Sequence, residues 1–523
     1  MRVWKRRRGE ELREAARDER APDRAAMTAS LIFDGRRLTG LALDARGERL
    51  AGGLHRLGLR EGDVVAILLR NDPVYADVVL ACRIAGISYC PLNWHFTPAE
   101  LDYILSDSGA KAIIGHADLL AAAHEAIPTG LPVLAVGAPL AAAFAYEEWL
   151  AGQAPYDGPP ATPRGHMAYT SGTTGRPKGV VRFAPPVSEA EAAGRRVRAL
   201  AELTLGLVPG CRALIPAPLY HSAPSAYLQT SLQVADTVVL HRRFDAEAVL
   251  AAIEEHRIDA IYLVPIMYAR LLALPEAVRR RHDLSSLRFV ASTGSPCAPG
   301  VKAAMIDWFG PVLTESYGSS EAGLATIATS ADSLAKPGTA GRPAGDAVIR
   351  ILGEDGREKP TGEAGLVYVR QPAYGDFTYR NRPEAREAIG RDGLVTLGDI
   401  GYLDADGYLF LCDRASDLVI SGGVNIYPAE IEHALIGLPG VRDCAVFGIP
   451  DPEFGERLMA HVEPAPEARL DPAGLRAALG GLIAGYKVPR DIEIVPALPR
   501  DETGKIAKRL LRDRYWGNET RRI

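Results

Sequence analysis

The chain has 523 residues, 47% hydrophobic and 24% charged, with 60 Lys and Arg against 65 Asp and Glu for a net charge of −5. At roughly 150 residues per unit this allows about three structural units around a large core, and the near-even balance excludes a global pull toward nucleic acid or an anionic membrane. No apolar run approaches the ~18 residues of a membrane span. The six cysteines form no C-x-x-C pair, which argues against a disulfide framework or zinc site and for a reducing, cytoplasmic compartment.

Residues 1–26 form a basic extension, MRVWKRRRGEELREAARDER and onward. It lacks the apolar segment of a secretory signal, and its acidic residues argue against a transit peptide. It reads as a solvated terminal helix, with Arg6 to Arg8 as contacts for a polyanion or a membrane surface the alternative. Next, Leu43, Leu50, Leu54 and Leu57 mark one helical face, DVVAILL a buried strand, and Pro73 with Val74, Val78 and Val79 a second helix. ISYCPL is a strand, Pro98 opens a helix ending near Gly109, and KAIIG is a third strand. This alternation predicts a parallel sheet covered by helices. The Ala- and Pro-rich stretch 121–165 reads as a connection with short elements, and a second βα stretch runs from about 166 to 330. From 331 to 412 short runs such as VIRIL and GLVYVR alternate with EDG and DADG turns, an antiparallel β pattern. The last hundred residues read as α+β: PAEIEHALIGL and LRAALGGLIAGY are helices, DCAVFGI and LMAHVEP strands.

Between the strand-like segments MAYT and VVRF stands Tyr169-Thr-Ser-Gly-Thr-Thr-Gly-Arg-Pro-Lys-Gly-Val180. Glycines bring backbone N–H groups close to an anion. Thr170, Ser171, Thr173 and Thr174 add hydroxyl donors around Gly172 and Gly175, and Lys178 adds positive charge. This is a polyphosphate cradle. It is not the Walker loop G-x-x-x-x-G-K-[ST], because Pro177 precedes the lysine and Gly179 follows it, which removes a P-loop kinase or ATPase from consideration.

The segment resembles the signature loop of the adenylate-forming superfamily, which holds acyl-CoA synthetases, adenylation domains of peptide synthetases and beetle luciferases. The resemblance spans roughly residues 27–520, because further motifs follow in the family's order, and it points to the acyl-CoA synthetase branch. It implies an α/β fold: a large N-terminal domain of two βα sheet subdomains plus a β-barrel-like subdomain, followed by a small mobile α+β C-terminal domain. The implied boundaries are 27–412 for the AMP-binding domain, 413–417 for the hinge and 418–523 for the cap.

The residue roles follow the same resemblance. Leu219-Tyr-His-Ser222 is similar to the motif that sets a histidine, here His221, beside the acyl pocket, with a satisfied core histidine as the alternative. Tyr220, Val264 and Gly294 join it there, and Gly294 and Ser295 belong to a looser segment lining the adenine and acyl sites. Tyr317-Gly-Ser-Ser-Glu321 resembles Y-G-x-T-E. Tyr317 would stack on adenine, Gly318 would let the nucleotide approach, Ser320 replaces the usual threonine at the α-phosphate, and Glu321 would hold Mg2+. Asp399 would accept the ribose hydroxyls and Arg414 would contact the ribose. Ser416 stands where the family's hinge commonly has Asp or Lys, and Gly422 and Gly423 begin the loop that meets the thiol. Pro499-Arg-Asp-Glu-Thr-Gly-Lys505 makes Lys505 the catalytic lysine.

The implied activity is ATP-dependent conversion of a carboxylic acid to an acyl-adenylate with release of pyrophosphate, then transfer to coenzyme A, with ATP, Mg2+ and coenzyme A required. The implied partner is a small-molecule acid (aryl, medium-chain or polycyclic), with no nucleic acid and no integral membrane span; a homodimer is left open. The alternatives are a stand-alone enzyme loading a carrier protein, a luciferase-like oxygenase, and a non-catalytic nucleotide-binding relative. Retention of Lys178, Glu321, Asp399, Arg414 and Lys505 argues against the last.

Overall fold

The computed structural model describes residues 28–170, 177–295, 297–415, 417–421, 424–500 and 506–516. The basic extension, Ser171 to Gly175, Ser416, Gly422, Gly423 and Lys505 lie outside the described residues.

The first two strands, β1 (Ser30–Phe33) and β2 (Arg36–Leu38), do not join the unit that follows them. That unit is a five-stranded parallel sheet of β3 (Val64–Leu68), β4 (Ser88–Pro91), β5 (Ala110–His116), β6 (Val133–Val136) and β7 (Phe144–Ala145), ordered β4-β3-β5-β6-β7. Every residue of β3 is buried, as expected of an apolar strand covered on both faces. The Ala-rich connection thus supplies two strands, β6 and β7, that extend this sheet at one edge.

Its helices follow from local signals. Gly40–Arg56 starts on the Thr39 hydroxyl, and Val74–Ala85 ends on a left-handed Gly86. These two helices pack closely at Gly47, where a Cβ would stand 2.7 Å from that of Leu80. The helix Pro98–Ser108 carries a Thr97–Glu100 capping box and Pro at its first position, and it stops on Gly109 at φ +65°.

A short hairpin, β8 (Tyr169–Thr170) with β9 (Lys178–Arg182), leads into a larger sheet of 14 strands. Its parallel part contains β10 (Arg212–Ile215), β11 (Thr237–Leu240), β12 (Ala260–Leu263), β13 (Phe289–Ser292) and β14 (Leu313–Glu315). Strand β1 pairs in parallel with β11, placing Ser30 opposite Thr237. Beyond β14 come a two-stranded pair, β15 (Gly318–Ser319) and β16 (Gly323–Leu324), and the antiparallel continuation of the large sheet. That continuation comprises β17 (Thr326–Thr329), β18 (Thr339–Pro343), β19 (Val348–Leu352), β20 (Gly365–Arg370), β22 (Gly390–Arg391), β23 (Leu394–Leu403) and β24 (Leu409–Arg414). Strand β21 (Phe377–Tyr379) turns aside to pair with β9.

The C-terminal unit has five strands, β25 (Val419–Ser421), β26 (Val424–Ile426), β27 (Val441–Asp451), β28 (Gly455–Pro464) and β29 (Asp491–Ile494), with helices Pro428–Ile436, Pro472–Gly480 and Lys508–Trp516. The second of these helices ends earlier than its apolar spacing predicts. Gly480 and Gly481 interrupt it, and residues 485–487 form a separate 3-10 turn.

All six cysteines are free thiols; five are buried, and Cys412 on β24 is half-buried. Among the described residues no helix is long and apolar enough to cross a membrane.

Candidate active site

The two stems of the glycine-rich loop pair antiparallel, with Thr170 opposite Lys178. The Thr170 hydroxyl donates to Glu321 Oε1 at 3.2 Å, and the Tyr379 phenol donates to the same oxygen at 3.1 Å. Burial, and then the adjacent Glu321, hold the Tyr379 phenol above its usual pKa, so it stays a protonated donor. Glu321 is only 8% exposed. Its backbone is fixed independently of its carboxylate. Arg182 donates to the carbonyls of Ser320 at 2.7 Å and Glu321 at 3.0 Å, while the Ser319 hydroxyl accepts from the N–H groups of Glu321 and Ala322. Lys178 Nζ stands 5.1 Å from the centre of the Tyr379 ring. Gly318 is required sterically, since a Cβ there would sit 2.2 Å from the carbonyl oxygen of Gly323 across β15 and β16.

A second cluster lies on β23 and β24. The Tyr317 phenol donates to Asp399 Oδ2 at 2.6 Å, and Arg414 Nε stands 3.4 Å from Asp399 Oδ1. Asp399 and Arg414 are direct partners in the ladder. Burial and the Asp399 charge raise the Tyr317 phenol well above its normal pKa, so this group too remains a donor. Immediately before Asp399's partner, still on β24, Asp413 Oδ2 accepts the N–H of Ala429 in the C-terminal unit at 2.9 Å. Inside that unit Lys508 bonds Glu432 at 2.8 Å, fastening the helix that starts three residues past Lys505.

The third group gathers where the parallel strands end, the edge at which open α/β sheets bind ligands. Tyr220 and His221 lie beyond β10, Val264 directly follows β12, and Gly294 lies two residues past β13 at φ +95° with Ser295 next. The Tyr220 and His221 rings are 4.3 Å apart, and Trp94 meets Tyr220 edge-on at 6.4 Å.

Several residues here have no sequence motif. Asn71 is buried and bridges the two parallel sheets. Its Nδ2 donates to the carbonyls of Ala217 and His241, both at 2.9 Å, and its Oδ1 accepts the Leu219 N–H at 2.8 Å. It thereby holds the turn that presents Tyr220 and His221. His166 is half-buried with Nε2 2.7 Å from the Ser222 hydroxyl, and desolvation of its ring lowers its pKa from 6.5 to about 4. The only sequence hint at either is a polar residue beside a buried strand.

Among the described residues no group of three or more His, Cys, Asp or Glu is arranged to hold a metal ion. Glu321 is nevertheless suited to a cation shared with a ligand. Its carboxylate is held by two neutral hydroxyl donors and keeps lone pairs in reserve, and Mg2+ is typically bound by one or two carboxylates plus substrate phosphates.

The family model for AMP-binding enzymes matches residues 12–375, and that for the AMP-binding enzyme C-terminal domain matches residues 430–505. A feruloyl-CoA synthase from Amycolatopsis sp is 38% identical over 488 residues, covering 92% of this chain and 94% of that protein. The fatty acid–[acyl-carrier-protein] ligase ScoC of Streptomyces coeruleorubidus is 32% identical, covering 95% of each. Among solved structures, the o-succinylbenzoate CoA synthetase of Bacillus subtilis in complex with its acyl-adenylate intermediate superposes with a TM-score of 0.79 at 29% identity, over 95% of this chain and 97% of that one. The chain therefore belongs to the AMP-binding enzyme family, in the acyl-CoA synthetase branch of the adenylate-forming superfamily, as an AMP-forming acid–thiol ligase.

Proposed function

We propose that this chain activates an aromatic carboxylic acid with ATP and passes the acyl group to coenzyme A. The observation that carries the reading is the junction at Glu321, where Thr170 beside the glycine-rich loop and Tyr379 on β21 orient one buried carboxylate. The ring cluster of Trp94, Tyr220 and His221 favours an aryl acid, as do the ring-bearing acids named for the feruloyl and o-succinylbenzoate relatives.

A carboxylate is a poor acyl donor because oxide is a poor leaving group. Attack of its oxygen on the α-phosphorus of ATP forms a mixed anhydride and expels pyrophosphate, and a thiol can then displace AMP. The first step brings two anions together, so charge neutralisation matters more than base catalysis; the acid is already ionised and nucleophilic. Lys178, Thr170 and the loop from Ser171 to Gly175 cradle the β- and γ-phosphates. Ser320 contacts the α-phosphate. Glu321, with Thr170 beside it, would hold Mg2+, which when bound offsets phosphate charge as it builds. Tyr317 and Gly318 border the adenine, while Asp399 receives the ribose hydroxyls with Arg414 beside it. His221, Tyr220, Val264, Gly294 and Ser295 border the acyl group.

Lys505 stabilises the adenylation transition state from the cap, residues 418–523. After pyrophosphate leaves, the cap rotates about residues 413–417, with Ser416 at the hinge, and turns Gly422 and Gly423 toward the thiol. Pyrophosphate release across ferulate, indole-3-acetate, 2-succinylbenzoate and a medium-chain fatty acid, with and without coenzyme A, tests the reading. Acyl-CoA formation from an aryl acid is expected. Release of pyrophosphate with none of the four acids refutes acid activation of this class. Preference for the fatty acid refutes the aryl assignment. The 32% identity with ScoC across the full length supports a second acceptor, a carrier-protein thiol, and adding an acyl carrier protein to the same assay separates the two.

A further inference from the structure

Two side chains that the proposed chemistry leaves unused reach the strands carrying Thr170 and Lys178. Tyr103 and Asp107 are four residues apart on the helix Pro98–Ser108 and so share one face. Asp107 Oδ2 accepts the phenol of Tyr169 at 2.7 Å, and Tyr169 directly precedes Thr170 on β8. The Tyr103 phenol donates to the carbonyl of Pro177 at 2.9 Å, and Pro177 directly precedes Lys178 on β9. Each stem is therefore tied to the same helix, at points one turn apart.

The ties are braced from the other side. Arg382 donates to the Tyr103 hydroxyl at 2.9 Å, Asn381 Nδ2 donates to the Asp107 carbonyl at 2.9 Å, and the Arg380 N–H donates to the Gly179 carbonyl at 2.8 Å. These residues directly follow Tyr379, which holds Glu321. The helix itself is a stiff platform. It is capped at both ends, and it buries Leu101, Ile104, Leu105 and Ser108 against the first sheet. The Tyr169 ring lies so close to β9 that a Cβ on Gly179 would come within 2.8 Å of it.

We propose that Tyr103 and Asp107 are positioning residues for Thr170 and Lys178, setting the separation of the two strands so that hydroxyl and ammonium meet the polyphosphate of ATP together. Neither touches substrate. This rests on the adenylation reading above, and it predicts a defect confined to the half-reaction that uses the β- and γ-phosphates.

The test is Tyr103→Phe, Asp107→Ala and the double variant, assayed with whichever of the four acids gives the fastest ATP–pyrophosphate exchange in the unmutated chain. Because misplacement by ~1 Å can cost ~100-fold, kcat/KM for ATP is expected to fall about tenfold in Tyr103→Phe and further in the double variant. The KM for the acid, and thioester formation from supplied acyl-adenylate and coenzyme A, stay within about twofold of wild type if positioning acts only on the ATP side. Asp107→Asn, which keeps an acceptor for Tyr169, recovers most of the loss. Exchange near wild type in the double variant, or equal losses in both half-reactions, overturns the proposal. If Asp107→Ala does not fold, Tyr103→Phe, which removes a single oxygen, decides by the same two outcomes. Absence of exchange in the unmutated chain overturns the adenylation reading instead.

Discussion

Asn71→Ala removes a side chain that ties the segment after β3 to the turn before Tyr220 through two hydrogen bonds and to the end of β11 through a third. The residue is 4% exposed, so the carbonyls of Ala217 and His241 and the N–H of Leu219 lose their partner inside the protein. A buried group left unsatisfied costs ~1–3 kcal/mol, and water entering the space vacated by the amide lowers that figure, so a total of about 3 kcal/mol is expected. At about 2 °C per kcal/mol for a large domain, the melting midpoint should fall by ~6 °C at a fixed scan rate. Asn71→Asp sharpens the test. Its carboxylate can still accept from Leu219, but it faces the carbonyls of Ala217 and His241, so burial raises its pKa. The folded state then binds more protons than the unfolded state, and stability rises as pH falls. Asn71→Asp should therefore melt at or below Asn71→Ala at pH 8 and above it at pH 5. The KM for the acid should rise in both while that for ATP holds, since the anchored turn carries Tyr220 and His221. A midpoint for Asn71→Ala within 1 °C of wild type, or an Asp variant indifferent to pH, would refute the reasoning.

Other outcomes follow from the same geometry. Gly318→Ala forces a Cβ onto the Gly323 carbonyl; it should cost ~1–3 kcal/mol in a thermal melt and depress ATP–pyrophosphate exchange more than thioester formation. Glu321→Gln should raise the Mg2+ concentration for half-maximal exchange ~10-fold, read by Mg2+ titration. His166 is neutral in the fold, with a pKa lowered from 6.5 to about 4 by burial. Between those values the unfolded chain binds more protons, so stability should fall by ~3 kcal/mol as pH drops from 6.5 to 4. His166→Gln should flatten that part of the melting profile against pH. Lys505→Ala should slow adenylation ~100–1,000-fold, as loss of one charge-stabilising donor does, yet spare thioester formation from supplied adenylate; full adenylation would remove Lys505 from its assigned role.

The elements easiest to read were those with punctuation at both ends. Pro98 and Gly109 bracket one helix, and the all-apolar run at β3 is explained by burial on both faces. The motif residues were legible by type, and the fold brings Thr170 to Glu321 and Tyr317 to Asp399 across 151 and 82 residues. What escaped was long-range and backbone-directed. Asn71 bonds main-chain atoms 146 to 170 residues away, and a carbonyl leaves no mark in a sequence. Tyr379, Tyr103 and Asp107 act through partners that only the tertiary fold identifies. Strands β6 and β7 are too short to show alternation, and the pairing of β1 with β11 depends on where the chain returns 200 residues later.

The disposition of the thiols has a practical consequence for testing the proposed rotation of the cap. Five of the six cysteines are buried, and burial pushes the half-buried Cys412 thiol up to about 11, so little of it is thiolate at neutral pH. The natural chain is thus close to a silent background for maleimide chemistry. Paired probes at exposed sites such as Val348 on the large sheet and Leu482 beyond the Pro472–Gly480 helix would report interdomain distances during turnover without stripping the native cysteines.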